Sequence, residues 1–428
     1  MGHIVNQDRE YRLLQQRLDL YAEGAPASPV FMKILKLLFS PEEANFARQI
    51  PTRPVPLAQL SRKLGLPEDE LNGRVMEMAR RGLVFDMEYG GERYVVLAPV
   101  VIGFFEFTFM RTRDDLPMAE LAKLFEEYMM KDDRFARSVF QGNTQIGRSL
   151  VQEEALPQGD YTEVLDWERA SHLIQSATAV GVSLCACRHK ASHLGKACAS
   201  PQETCLTLNG GAELLIKNGI ARRVTHSEGM RILEECKKAG LAQTGDNVQK
   251  NVGYICNCCG CCCGMFQALK TFNIRNAVVT SNWIMKIQES ACKGCGACVK
   301  ACPVGAVHMV EVKEGERIRR KAVCEEKLCL GCGVCYAACR FGSIALQPRP
   351  SRVFTPETTF DKIVAMAIER GKLADLIFGD PGRLSYRALG RVASLLENSP
   401  PFKALLAIKP VRSVFLNTIL SGAKKYTK

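Results

Sequence analysis

The chain has 428 residues, 47% of them hydrophobic, with a formal net charge of +12 and 20 cysteines. That length and apolar content allow ordinary cores and exclude a small scaffold stapled by disulfides, so the cysteines are surplus to folding. None precedes Cys185 and none follows Cys339, which confines the thiols to one central segment and points to metal loading.

From the N-terminus, MGHIVNQDREYRLLQQRLDLY carries charges throughout and no apolar run of the secretory type, so a reducing cytoplasm is expected. VPLAQLSRKLGLPEDELNGRVMEMARRGLV, from Val55 to Val84, places apolar residues at helical spacing in two short helices, with GLPEDE as the turn between them. FDMEYGGERYVVL then alternates around Gly90 and Gly91 as a hairpin. This order resembles a winged helix-turn-helix. From Val55 to Leu97 there are six basic and seven acidic residues, whereas a DNA reader needs a positive face to displace counterions from phosphate. Arg74, Arg80 and Arg81 are the candidate patch, but a packing or docking module is expected and nucleic acid is not an expected partner. APVVIGFFEFTFM, from Ala98 to Met110, is interrupted by Glu106 and falls short of the ~20 residues a membrane span needs, so no transmembrane segment is expected. Residues 1–110 are read as a winged-helix-like domain and 111–165 as a helical linker. GNTQIG, Gly142 to Gly147, lacks the preceding strand and following lysine of a phosphate loop.

The first cysteine group is SLCACRHKASHLGKACASPQETCLTL, with Cys185, Cys187, Cys198 and Cys205. AVGVSLCAC ahead of it reads as a strand after a helix-like DWERASHLIQSATA. A helix GGAELLIKNG follows, and THSEGMRILEECKKAG opens on Thr225 with Glu228 three residues on, a capping-box pattern, and closes on Gly240. Next comes ICNCCGCCCG, whose Cys256, Cys258, Cys259, Cys261, Cys262 and Cys263 occupy six of eight positions. The two groups are expected to be loops at the ends of one α/β scaffold, residues 166–285. Four ligands for a metal centre come either from Cys185, Cys187, Cys198 and Cys205 alone or from a set shared with Cys256, Cys258 and Cys259. Gly260 is expected to direct the two halves of the run to different sides, with Cys261, Cys262 and Cys263 partly unligated or holding a fourth centre. The centre is expected to be iron–sulfur, with structural zinc as the alternative because four separated cysteines also suit a tetrahedral site. His189 and His193 flank the CxC pair as further candidates. Cys236 and Cys324 are read as small packing residues.

CKGCGACVKACP (Cys292 to Pro303) and CLGCGVCYAACR (Cys329 to Arg340) both follow CxxCxxCxxxC, a thiolate run suited to iron–sulfur clusters. These motifs resemble the bacterial dicluster ferredoxin family. The resemblance implies a ferredoxin-like domain over residues 286–348 with two [4Fe-4S] clusters. One would be held by Cys292, Cys295, Cys298 and Cys339, the other by Cys302, Cys329, Cys332 and Cys335. Arg340 stands where the second loop of the family has proline, placing a cation near one cluster. CACR, CASPQETCL, GLAQ and ICNCCGCCCG further resemble a domain found beside ferredoxin modules in uncharacterised iron–sulfur proteins of anaerobic bacteria and archaea. That likeness extends over most of the chain and implies no particular reaction.

From Gln347 to Lys428 there are fourteen basic and six acidic residues, and prolines divide a helical pattern, so 349–428 is read as a basic helical tail that suits an acidic redox partner. The fold class expected is α+β and multidomain: winged-helix-like, cysteine-rich α/β, dicluster ferredoxin-like and helical tail. No flavin, nicotinamide or hydrolytic signature is visible. The expected function is therefore single-electron transfer through two [4Fe-4S] clusters and a third centre, to or from a partner oxidoreductase. The alternatives are a redox-sensing winged-helix regulator and an oxidoreductase whose third cluster has an open iron.

Overall fold

The computed structural model describes residues 7–157, 165–314 and 317–378; the remainder of the basic tail, 379–428, lies outside the described residues. Three helices, Gln7–Leu18, Pro29–Leu38 and Pro41–Ala47, come first. Ser28 caps the second by accepting the Phe31 N–H, and Ser40 forms a reciprocal capping box with Glu43 at the third. Strand β1 (Val55–Pro56) leads into helices Leu57–Leu64 and Glu68–Arg80 and a hairpin, β2 (Val84–Tyr89) and β3 (Glu92–Leu97). The sheet order is β1-β3-β2. The hairpin turns on Gly90 and Gly91, whose φ of 62° and 77° only glycine adopts without strain. Helices Phe105–Phe109, Met118–Met130 and Arg134–Phe140 follow. They share an aromatic core in which Phe31, Phe104, Phe109 and Phe125 are fully buried.

The cysteine-rich region is built on a six-stranded antiparallel sheet. Its strands are β4 (Gly147–Ser149), β5 (Val180–Leu184), β6 (Glu203–Leu208), β7 (Arg222–Val224), β8 (Ala242–Asp246) and β9 (Tyr254–Cys258). They lie in the order β4-β8-β9-β6-β5-β7. The edge strand β4 comes from the stretch read as a helical linker. Alternation divides each strand between two faces. Val180, Val182, Leu206, Leu208 and Ile255 form one core with Ile174 of helix Ala170–Ser176 and with Ile232, Leu233 and Cys236 of helix His226–Lys238. Thr225 caps the latter helix by accepting the Glu228 N–H, while the Glu228 carboxylate turns to Arg222 at 2.9 Å instead of closing the box. The opposite face carries Ser183, Cys205, Thr244, Cys256 and Cys258. Register sets Thr244 against Cys256, and Ser183 against Cys205.

The C-terminal cysteine loops sit between two antiparallel pairs, β10 (Trp283–Ile287) with β13 (Ile344–Pro348) and β11 (Val307–Glu314) with β12 (Arg317–Cys324). Short helices Ala297–Ala301 and Val334–Ala337 each start on a left-handed glycine, Gly296 (φ 74°) and Gly333 (φ 87°). Among the described residues no helix is long and apolar enough to cross a membrane.

Candidate metal centres

The two CxxCxxCxxxC loops exchange their last cysteines. Cys292, Cys295, Cys298 and Cys339 line one small cavity, and Cys302, Cys329, Cys332 and Cys335 line a second. Backbone amides point at sulfur: the Ala306 N–H donates to Cys302 Sγ at 3.2 Å. Ser343 Oγ lies 3.1 Å from Cys339 Sγ. Burial works against the charged Cys339 thiolate, but the Ser343 hydroxyl and nearby amides outweigh it and hold the pKa below the usual thiol value. Arg319 and Arg349 donate to the carbonyls of Cys292 (2.5 Å) and Cys329 (2.6 Å), fixing the loops. Arg340 is exposed, its guanidinium 5.0 Å from the centroid of Phe341, which lines the first cavity. Cys324, read as a packing residue, ends β12 half-buried with its thiol paired to that of Cys329.

Upstream, the structure regroups the thiols. The Sγ atoms of Cys198, Cys259, Cys261 and Cys262 all lie within 4.8 Å of one another. Cys198 therefore separates from Cys185, Cys187 and Cys205, so those four do not gather at one point; the two groups instead share partners, Cys198 with Cys259 and Cys205 with Cys256. For Cys198, burial pushes the thiol up, but the Ser200 hydroxyl and amide and the thiols of Cys259 and Cys261 bring it down to about 6. The other six thiols form a second group. Cys205 pairs with Cys256, Cys256 with Cys258, Cys258 with Cys263, and Cys263 with Cys187, while Cys185 lies within electrostatic reach of Cys187 and Cys205. The run accordingly does not divide at Gly260. Cys256 and Cys258 are two apart on a strand and share a face. Asn257 points the other way, donating to the Thr204 carbonyl at 2.8 Å. Cys259, Cys261 and Cys262 belong to the turn beyond the strand. Cys263, at the N-cap of helix Gly264–Thr271, returns to the strand's thiol face.

Gly260 has a different task. A Cβ at this position would stand 2.6 Å from the Pro303 carbonyl oxygen and 3.0 Å from its Cα, so the turn between Cys259 and Cys261 lies directly on the backbone beside Cys302. Gln267 holds the turn by donating to the carbonyls of Gly260 (3.1 Å) and Cys261 (2.7 Å). A second contact joins the regions where the Gln152 N–H donates to the Cys332 carbonyl at 3.1 Å.

Sequence spacing did not single out Arg188. Its side chain is fully buried beneath both upstream groups, donating to the Asn257 carbonyl at 2.9 Å and to Thr204 Oγ1. Burial disfavours its charge, but Cys185, Cys259 and Cys258 outweigh that and hold it firmly protonated. Its position directly after the CxC pair, in CACR, offered a cation beside thiolates as the only signal. His189 and His193 do not join the thiols: His189 Nδ1 lies 2.7 Å from the Phe109 carbonyl, and both rings pack against Phe109. Of the expected basic patch, Arg74 is paired with Glu70 and Arg81 with Glu43.

The thiol face of the sheet opens on a cavity of about 300 Å³ beneath the helices at 105–140. Phe105, Met129, Met130, Phe135 and Phe140 give it an apolar roof, while Glu106, Glu126, Arg188, Lys190 and Lys196 also line it; the Glu106 carboxylate accepts the Gly103 N–H at 2.9 Å. Burial pushes the Glu106 carboxyl up to about 8, against the stabilising pull of that amide.

No curated protein and no solved structure matches the chain. Its last cysteine-bearing segment does have a match: residues 291–343 fit the family model of the 4Fe-4S dicluster domain, so the chain carries a ferredoxin-type iron–sulfur domain.

Proposed function

We propose that the protein relays single electrons through two [4Fe-4S] clusters in the ferredoxin-type domain and a third metal centre at Cys198, Cys259, Cys261 and Cys262, to or from a partner oxidoreductase. The donor chemistry fits. Each set offers four thiolates around one point, the set soft iron selects, and the ferredoxin loops add amides aimed at sulfur. One set would be Cys292, Cys295, Cys298 and Cys339, the other Cys302, Cys329, Cys332 and Cys335. Bound clusters supply one-electron chemistry; the chain supplies ligation, burial, hydrogen bonds and proximity.

The observation that carries this reading is the contact of Gly260 with Pro303. It seats the upstream four-thiol turn against the backbone that follows Cys302, so the two regions adjoin at their thiol loops. The helix and hairpin unit of residues 55–97, with two of its three candidate arginines in ion pairs, is assigned as a winged-helix-like packing module. A reducing, oxygen-poor cytoplasm suits thiolate sites of this density, and the basic residues after Gln347 suit an acidic partner.

The test is metal analysis of anaerobically purified protein. Two ferredoxin clusters alone give about eight irons per chain, and an iron–sulfur third centre raises that to at least about twelve. Eight irons with zinc would replace the third cluster by a structural tetrahedral site.

A further inference from the structure

The six thiols left outside the Cys198 set have no role in that relay, yet they follow one another as neighbours, from Cys205 through Cys256, Cys258 and Cys263 to Cys187, with Cys185 beside them. Three sequence segments deliver them to one place. Cys205 and Cys256 come from adjacent strands, and Cys258 follows on the same face. Cys185 caps helix Ala186–His193, Cys187 lies in its first turn and Cys263 caps helix Gly264–Thr271. Amides at both helix starts face the sulfurs: Arg188 N–H toward Cys185, Gly264 N–H toward Cys187 and Phe266 N–H toward Cys263. Such donors are placed to hydrogen-bond sulfur that a metal holds.

The buried guanidinium of Arg188 adds an independent demand. Among the described residues no carboxylate pairs with it, its Nε has no hydrogen-bond partner, and the charges around it are the sulfurs of Cys185, Cys258 and Cys259. A fully buried cation without an anion is costly. Sulfur lies on both sides of Arg188, Cys259 from the one set and Cys185 and Cys258 from the other, and a metal centre that holds such thiols supplies the missing anion. Six thiolates exceed the four that a tetrahedral ion or one cubane takes, which points to a polynuclear centre or to one with thiolates to spare.

The surroundings differ from those of the other thiol sets. The two ferredoxin cavities are small, whereas the six thiols, with Cys259, Cys261 and Cys262 of the neighbouring set beside them, line the cavity of about 300 Å³. Phe105, Met129, Met130, Phe135 and Phe140 roof it, a size and lining suited to a small apolar molecule. Chains that merely relay electrons do not need such a chamber beside a centre.

We propose that Cys185, Cys187, Cys205, Cys256, Cys258 and Cys263 bind a further iron–sulfur centre, distinct from that of Cys198, Cys259, Cys261 and Cys262, and that the chamber admits a small apolar ligand to it. This rests on the iron–sulfur reading above; protein lacking even the eight irons of the ferredoxin-type domain overturns that reading, whereas the following comparisons address the further centre alone.

Two double variants of the full chain, purified anaerobically, separate the centres: Cys205→Ser with Cys256→Ser, and Cys198→Ser with Cys261→Ser. Each is expected to lose its own quota of iron, with the two losses adding in the quadruple variant and the reduced ferredoxin signals retained in electron paramagnetic resonance. The proposal is overturned if the first pair loses no iron, or if both pairs remove the same iron. The chamber is read with tert-butyl isocyanide, an apolar soft donor, added to reduced holoprotein. It should shift the spectrum of the upstream iron, and Ala136→Trp, which fills the chamber and leaves every thiol in place, should abolish that shift at unchanged iron content. No shift in the parent protein, or a shift that survives Ala136→Trp, rejects the ligand chamber. Because Ala136→Trp is judged only at full iron content, misfolding cannot pass for confirmation; if it reduces iron, Met129→Trp fills the same space from another helix and carries the decision.

Discussion

The ferredoxin-type domain and the upstream sheet hold thiols in opposite ways. In the first, two loops of identical spacing each close on their own glycines and trade only their last cysteines. In the second, Cys198 is brought to Cys259, Cys261 and Cys262 across about sixty residues of sequence by a sheet whose strand order, β4-β8-β9-β6-β5-β7, is not the chain order. A local loop writes its ligand set into spacing, whereas a sheet writes it into register. The first kind of site can be moved between proteins as a cassette; the second exists only when the whole scaffold is folded.

That contrast is broken most directly by removing thiols. Cys332→Ala is expected to lose about four irons, one cubane's worth, while the upstream spectrum persists. Cys259→Ala should do the reverse. Iron analysis with electron paramagnetic resonance reads both, and loss of ferredoxin iron in Cys259→Ala would show that the two regions load as one unit. Arg188→Leu is expected to be the most damaging change that leaves every thiol in place. It strips two upstream groups of their shared cation and leaves the Asn257 carbonyl and Thr204 hydroxyl unpaired, a loss of about 3–5 kcal/mol typical of a broken buried charge site. Anaerobic denaturant unfolding followed at the upstream chromophore measures it, and a stability within error of the parent would remove Arg188 from the account.

The Glu106 carboxyl gives the chamber wall a pH signature with a fixed sign. Its folded pKa of about 8 lies above the ordinary carboxylate value, so the folded state keeps a proton that the unfolded chain gives up. The contribution is complete below about pH 4.5 and is lost as pH rises to about 8, amounting to a few kcal/mol over that window. Cys205 and Tyr254 sense the Glu106 charge electrostatically. Glu106→Gln should flatten stability between pH 5 and 8, and an unchanged slope would mean that the carboxyl ionises freely.

At the seam between the regions, Gly260→Ala places a methyl 2.6 Å from the Pro303 carbonyl oxygen. Backbone must then shift, at about 1–3 kcal/mol by comparison with overpacked cores. Iron content should be unchanged, while electron exchange between upstream and ferredoxin centres slows in stopped-flow oxidation. Equal rates would detach the relay from this contact.

Much of the scaffold was legible. The helices at Leu57–Leu64 and Glu68–Arg80, the Gly90–Gly91 hairpin and β5 lie where apolar periodicity and glycine place them, because each depends on neighbours a few residues away. The ferredoxin thiol sets came from the resemblance of the two repeated motifs to the dicluster family, and each set lines one cavity. Edge strand β4 was not legible, since Gly147, Arg148 and Ser149 carry no alternation of their own and take strand form from pairing with β8. Nor was the division of the ICNCCGCCCG run. Gly260 was read as a divider because glycine frees the backbone, yet here its missing side chain admits Pro303; the division follows instead from where β9 ends and the next helix begins. Arg188 stayed hidden because a buried cation announces itself only through partners gathered by the fold.

The smallest effect separates two cysteines that spacing had treated alike. Cys236 is fully buried in the core that holds Ile232, Leu233 and Ile174, and the charges that act on it are those of Arg188 and Glu235. Its Ala variant should keep all iron and lose roughly 1 kcal/mol for the missing sulfur's packing. Cys324 lies instead against Cys329, whose thiol is brought down to about 6, chiefly by the Cys324 side chain. Cys324→Ala should also keep all iron, because Cys302, Cys329, Cys332 and Cys335 already supply four thiolates. It removes a hydrogen-bond donor to sulfur, however, and donors to cluster sulfurs raise the reduction potential. The expected outcome is a lower potential for one ferredoxin-type cluster in Cys324→Ala and none in Cys236→Ala, read by redox titration of both variants beside the parent. A lower potential in both would trace the effect to general loosening of the fold, and iron loss in Cys324→Ala would make it a ligand that the two repeated motifs do not predict.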